Sequence, residues 1–197
     1  MVQKILTVPN PLLRQKSKKV AKVDKKIQKI IADLLETVKN VSEPEGLGLS
    51  AVQIGQSSRI FVARLDSRSA RQAKTQKPAC RQAGDFEVFI NPKIIEASKE
   101  NLSEVLKKEK LFFEGCLSVP QIYGFVDRPY QIKLEWQDEK GQKKVKEFKN
   151  KLSVCLQHEV DHLEGILFID RLLKQKGKIY ELKKDKKNKE VFEEVEL

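Results

Sequence analysis

Five consecutive residues, His158-Glu-Val-Asp-His162, bring together the side-chain types that hold and use a divalent metal ion. On a helix, positions i and i+4 lie on one face, one above the other, about 6 Å apart along the axis at 1.5 Å per residue. Two imidazoles so placed reach one cation. Glu159 adjoins the first of them and can point toward a water beside that cation. The pairing generates a nucleophile at neutral pH, because the metal lowers the water's pKa while the carboxylate takes up a proton and returns it. His158 and His162 are the only two histidines in the chain. Random placement would give them this spacing in about 1% of cases, before requiring Glu at the second position.

Two ligands are too few, since a catalytic site uses three protein donors and one open position. With no histidine left, the third must be Cys, Asp or Glu. Proteases that extend this pattern place a third His after a glycine; here Gly165 keeps that register but Phe168 fills the ligand position. Cys155 shares the helical face but lies about 7 Å along the axis from a metal midway between the histidines. Its side chain is short and tilts away, toward the helix N-terminus, so it reads as a small buried residue. Cys116, in Glu114-Gly-Cys-Leu-Ser-Val-Pro120, is the better candidate. A third feature is Gly46-Leu-Gly-Leu-Ser-Ala-Val-Gln53. Its glycines let backbone approach a ligand closely, and Gln53 could offer an amide donor to a developing oxyanion. It lacks the third glycine of a dinucleotide fingerprint and the Gly-Lys-Ser/Thr of a phosphate loop.

These groups need elements to hold them. Ile27, Ile30, Ile31, Leu34, Leu35 and Val38 follow the i, i+3, i+4, i+7 rule of an amphipathic helix, with Asp24 as its N-cap. Residues 59–65 and 86–92 are short, apolar and partly β-branched, as buried strands are. Gln131–Trp136 alternates, and with Val145–Phe148 beyond a turn at Gly141 it predicts a hairpin. Residues 151–164 return to helical spacing, with Gly165 as the C′ residue. Strands and helices without a regular βαβ rhythm predict an α+β fold built on antiparallel sheets.

The three ordered motifs, Gly-Leu-Gly-Leu-Ser-Ala-Val-Gln, Glu-Gly-Cys-Leu-Ser-Val-Pro and Gln-His-Glu-Val-Asp-His-Leu-Glu-Gly, resemble those of the peptide deformylases. Pro9–Arg14 and Val126–Pro129 fit the same family, and the resemblance covers about residues 1–172. It implies antiparallel β-sheets packed around a central metal-binding helix. The implied activity removes the formyl group from N-formylmethionine at the start of new polypeptides, giving formate and a free amine. It implies Cys116, His158 and His162 as metal ligands and Glu159 as catalytic base and acid. Gln53 and the backbone N–H of Leu117 would be oxyanion donors. Gly46, Gly48, Glu114 and Gly115 would flank the peptide, and Val154 and Cys155 would line the methionine pocket. The family's metal is typically ferrous iron, with zinc, nickel or cobalt as alternatives. A pairing of Arg128 with Glu114 is expected near the substrate strand. Family members act beside the ribosome exit tunnel, some through a basic C-terminal helix.

Composition bounds these readings. The chain has 197 residues, is 40% hydrophobic and carries a net charge of +11, which suits one globular domain and permits a polyanionic neighbour. The expected organisation is a catalytic domain at 1–172 with a polar loop insertion at about 66–85. A Lys-rich helical extension with an acidic end follows at 173–197. Residues 1–40 hold ten Lys/Arg against three Asp/Glu, and residues 174–189 hold eight against two. No run approaches the ~18 apolar residues of a membrane span, and the N-terminus lacks the apolar stretch of a signal peptide. No membrane association is therefore expected, and the expected compartment is the cytosol. Three cysteines, Cys80, Cys116 and Cys155, make an odd number, so no disulfide framework is expected. On residue chemistry alone two other readings stay open: a protease with a carboxylate ligand such as Glu181, and a basic RNA-binding protein with a closed structural metal site.

Overall fold

Asp24 begins the first helix: its carboxylate accepts from Ile27 N at 2.9 Å and caps α1 (Lys25–Lys39). This supplies an acceptor to an amide that has no partner within the helix. The apolar face of α1 buries Ile27, Ile30, Ile31, Leu34 and Val38 against β1 (Gly48–Ser50) and β2 (Ile60–Arg64). The computed structural model describes residues 1–41, 46–65, 86–106, 112–184 and 190–195. The polar insertion expected at 66–85, with Cys80, lies outside the described residues.

β3 (Phe86–Ala97) is longer than the expected strand at 86–92. It follows β2 in a five-stranded antiparallel sheet of order β1-β2-β3-β6-β7. The predicted hairpin is β6 (Gln131–Gln137) and β7 (Lys143–Lys149), in register from Gln131 opposite Lys149 to Gln137 opposite Lys143. Along β6, Ile132, Leu134 and Trp136 face the core while the residues between them are only partly buried, as a pleat of period two requires. The short helix α2 (Leu102–Val105) precedes a second sheet. That sheet contains β4 (Glu114–Cys116) and β5 (Val119–Gly124).

Helix α3 (Asn150–Leu163) is central. Leu156, Val160 and Leu163 pack on Phe61, Phe89 and Trp136 of the large sheet. A separate cluster joins Val119 of β5 to Phe168 and Leu172 of α4 (Phe168–Lys174). The arrangement is the expected α+β fold, antiparallel sheets around the helix that carries both histidines. Gly165 ends α3 with φ +74°, and a Cβ there would lie 2.4 Å from Arg14 O, so both conformation and space select glycine.

The C-terminal part corrects one expectation. Helix ends at Lys174, and the Lys-rich extension is a hairpin of β8 (Ile179–Lys184) and β9 (Glu190–Val195). β8 pairs with β5, giving the order β4-β5-β8-β9. Lysine is a good helix former, and its density suggested a helix. The strand state gains what a solvated helix could not. Ile179 and Val195 join the cluster around Phe168, and basic β8 lies against acidic β9, with Lys183 Nζ 2.7 Å from Glu193 Oε2. Cross-strand packing and charge overrode local propensity.

Candidate metal centre and active site

Two elements deliver three donors. The last residue of β4 presents the Cys116 thiol, and successive turns of α3 present His158 and His162. One ligand atom from each lies within 4.8 Å of the others. Cys116 Sγ is 3.2 Å from His162 Nε2. Two donors sharing one tetrahedral cation, with sulfur at about 2.3 Å and nitrogen at 2.0–2.1 Å, would stand ~3.5 Å apart. A thiolate and two imidazoles are borderline-soft donors suited to a divalent transition metal. Burial opposes ionisation of the Cys116 thiol, yet His162 and His158 outweigh it and hold the pKa well below the ordinary thiol value. The ligating form is therefore favoured. The donor set fits a metal ion on composition, spacing and ionisation.

A buried ion network orients His158. Its Nδ1 lies 2.9 Å from Glu114 Oε2, which turns Nε2 toward the cluster. Arg128 grips the same carboxylate through Nε (2.6 Å) and Nη2 (2.9 Å) and reaches Asp161 Oδ2 through Nη1 (2.7 Å). Burial raises the pKa of Glu114, but His158 and Arg128 reverse this and lower it. Arg171 Nε holds Asp161 from the far side at 2.7 Å. Fixing the second nitrogen of a ligating imidazole this way sets its tautomer and direction. Replacing Arg128 with Met would leave two buried carboxylates short of their cation. Arg128→Met is expected to lose about 3–5 kcal/mol of stability, measured as the urea midpoint of the chelated protein. A midpoint equal to that of the unaltered chain would show the network is not structural.

Glu159 is buried, and burial raises its pKa above the ordinary carboxylate value against the pull of His162, His158 and Ser50. Ser50 Oγ donates to Oε2 at 2.6 Å. On the other side Gly48 packs so closely that a Cβ there would lie 2.6 Å from Glu159 Oε1. Gln53 is buried; its Oε1 accepts from Ser50 N at 2.8 Å, and its Nε2 lies 3.1 Å from Ser118 Oγ and 3.7 Å from Cys116 Sγ. Ser118 N donates to the same sulfur at 3.4 Å.

The structure thus brings Cys116, His158, His162, Glu159, Gln53, Gly48 and Glu114 into one constellation. Gly46 abuts Leu117, whose Cδ1 would be 3.7 Å from a Cβ at Gly46. Gly115 lies under the Tyr123 ring, which would be 2.4 Å from its Cβ. Val154 is buried on α3, one turn before His158. Cys155 stands apart from the metal donors, and burial, then the Glu159 charge, pushes its thiol pKa up. Glu181, the carboxylate alternative, sits on β8 paired with Lys183 at 3.1 Å and is not in the donor cluster. The expected Arg128–Glu114 pair is present. Sequence reasoning missed the work of Ser50, Ser118, Asp161 and Arg171. The first three lie inside the recognised motifs, which was their only signal; Arg171 gave none.

Residues 2–178 match the polypeptide deformylase family. The chain is 37% identical over 185 residues to the peptide deformylase of Rhizorhabdus wittichii, covering 94% of each. It is 39% identical over 172 residues to that of Zymomonas mobilis, covering 87% of this chain and 86% of the relative. The crystal structure of peptide deformylase from Ehrlichia chaffeensis superposes with a TM-score of 0.72 at 35% identity, covering 89% of this chain and 90% of that one.

Proposed function

Because this chain belongs to the polypeptide deformylase family, we propose how its residues divide the work of that family's reaction. The activity is hydrolytic removal of the N-formyl group from formylated nascent peptides, with release of formate. The enzyme is metal-dependent and carries a Cys/His site. The observation that supports the residue roles best is the convergence of Cys116, His158 and His162 beside a buried, pinned Glu159.

Cys116 Sγ and the two imidazoles would hold a divalent metal ion, which supplies Lewis acidity and makes a nearby water acidic enough to react at neutral pH. Glu159 Oε1, the oxygen that Ser50 leaves unengaged, takes the proton from the attacking water. It returns that proton to the departing amide nitrogen, so that formate and a free amine result. The raised pKa of Glu159 serves both directions of transfer. Gln53 Nε2 spends one hydrogen on Ser118 Oγ and has only a long contact to sulfur for the other. That second hydrogen, with the N–H of Leu117, donates to the oxyanion as it forms. Gly46, Gly48, Glu114 and Gly115 flank the peptide, and Val154 and Cys155 line the pocket for its methionine side chain. The formyl carbon carries only hydrogen, so a site closed in by Gly48 and Glu159 admits it and rejects acetyl by size.

The thiolate ligand softens the site toward ferrous iron, the metal we assign ahead of zinc, nickel or cobalt. No helix among the described residues is long and apolar enough to cross a membrane, and Cys116 and Cys155 are free thiols. We place its work in the cytosol, on peptides leaving the ribosome. The docking element we assign is the basic stretch at 174–189. Deleting 174–197 should abolish cosedimentation with ribosomes, and unchanged cosedimentation would acquit the segment.

The deciding experiment measures formate released from a formyl-Met peptide by anaerobically prepared iron enzyme, with the acetyl-Met peptide as control. Formate from the first alone is expected. Cleavage of internal peptide bonds, or no release from metal-loaded protein, would overturn the reading.

A further inference from the structure

A cavity of about 480 Å³ is lined by residues from the segment at 16–19, by Arg59 just before β2, by β3, β6 and β7, and by the residue that follows α3. None of Cys116, His158, His162 or Glu159 lines it. Its size falls in the range of small-molecule sites. Its charge is lopsided: Lys16, Lys19, Arg59, Lys93 and Lys143 face only two carboxylates, Glu135 and Glu164. Glu164 already pairs with Lys16 (2.7 Å) and Arg59 (2.6 Å), and Glu135 lies 3.8 Å from Lys143. Lys19 and Lys93 have no ion-pair partner among the described residues. Arg59 is 91% buried by its 9% exposure and is held in place by Pro92 O, at 3.2 Å from Nε and 3.0 Å from Nη2. It forms a fixed cationic floor beneath a flexible lysine rim.

Two further residues in the wall keep buried polar atoms without a hydrogen-bond partner, Ser17 Oγ and Trp136 Nε1. Ser17 is 6% and Trp136 3% exposed. An indole N–H only donates, and a hydroxyl can. A buried donor left unpaired costs about 1–3 kcal/mol, and a ligand oxygen drawn into the wall would remove that cost. We propose that this cavity binds a phosphate-type oxyanion: acceptor oxygens for the two unpaired donors, and negative charge for the surplus cations. Neither deformylation nor the metal is involved. The phosphate can belong to a free phosphorylated metabolite or to a nucleic-acid backbone, two sources with one chemistry.

Trp136 is the only tryptophan in the chain and lines this cavity, so its emission, excited to the red of the three tyrosines, responds to a ligand bound there. The full-length protein is titrated with inorganic phosphate in one arm and a single-stranded RNA dodecamer in the other. Chloride holds ionic strength constant. Saturable change in Trp136 emission is expected, weakened about tenfold in the Lys19→Ala/Lys93→Ala double variant, which removes two surface cations worth ~1.4 kcal/mol together. The same variant should release formate at the unaltered rate. Saturation by phosphate alone assigns a free phosphorylated ligand; saturation by RNA that phosphate displaces assigns a backbone. No saturable change in either arm, an equal change in the double variant, or the same change with chloride would overturn the proposal.

Discussion

Glu159→Gln is expected to bind metal as the unaltered chain does and to lose turnover by about 10²–10⁴-fold, the usual share of a positioned acid–base group. The substitution is nearly isosteric. Gln can still accept from Ser50 Oγ, which lies 2.6 Å from Glu159 Oε2, and still fills the space against Gly48. The site is buried, and burial already disfavours the ionised carboxyl, so a neutral amide costs the fold little. What it lacks is a proton acceptor at Oε1. Metal content is read by elemental analysis and activity by formate release on the same preparation. Full metal with more than a tenth of the activity would remove Glu159 from the proton-transfer role. Lost metal would mean that Glu159 holds the histidines in place instead.

Cys116→Ala is expected to lose the metal itself. Structural sites with four protein ligands bind with about 10–16 kcal/mol, so one donor carries roughly 3 kcal/mol and its loss weakens affinity by at least ~100-fold. The loss should be larger here because the thiolate is the only anionic donor of the three. Cys155→Ala is the matched control: it removes a thiol on the same helix that the structure places outside the donor cluster. Competition against a chelator of known affinity separates the two variants. Equal affinities would remove Cys116 from the ligand set, and with it the reason for preferring iron.

The two stability and docking expectations, Arg128→Met and deletion of 174–197, test different parts of the fold. The first probes charges sealed between β4, α3 and the loop before β6, where no water can replace a lost partner. The second probes a hairpin whose basic strand is offset by an acidic one, as in the 2.8 Å contact of Lys178 Nζ with Glu194 Oε2. Lys178 and Lys183 are therefore paired in place with Glu194 and Glu193, which the sequence count of eight Lys/Arg against two Asp/Glu over 174–189 did not register.

The elements legible in the sequence are those whose signal is local. The apolar spacing of α1, its Asp24 cap, the alternation of β6 and the positive-φ glycine after α3 each follow from neighbours within a turn or two, where side-chain periodicity and backbone sterics act directly. His158 and His162 belong to this group, since one helix fixes their spacing. So does the exclusion of Cys155, which needed only the rise per residue. Other relations join residues far apart in the chain, and chain geometry alone could not reach them. Cys116 and His162, 46 positions apart, meet only where the end of β4 reaches α3, and Ser50 meets Glu159 across 109 positions. Asp161 takes Arg128 and Arg171 together because three elements converge there. The C-terminal hairpin is the plainest case. Lysine density predicts a helix, and only the free edge of β5 and the acidic strand beyond made a strand the better state. Local sequence thus set the residue types and their spacing along each element. Which elements meet was decided by burial and pairing, because those free energies exist only once distant segments are in contact.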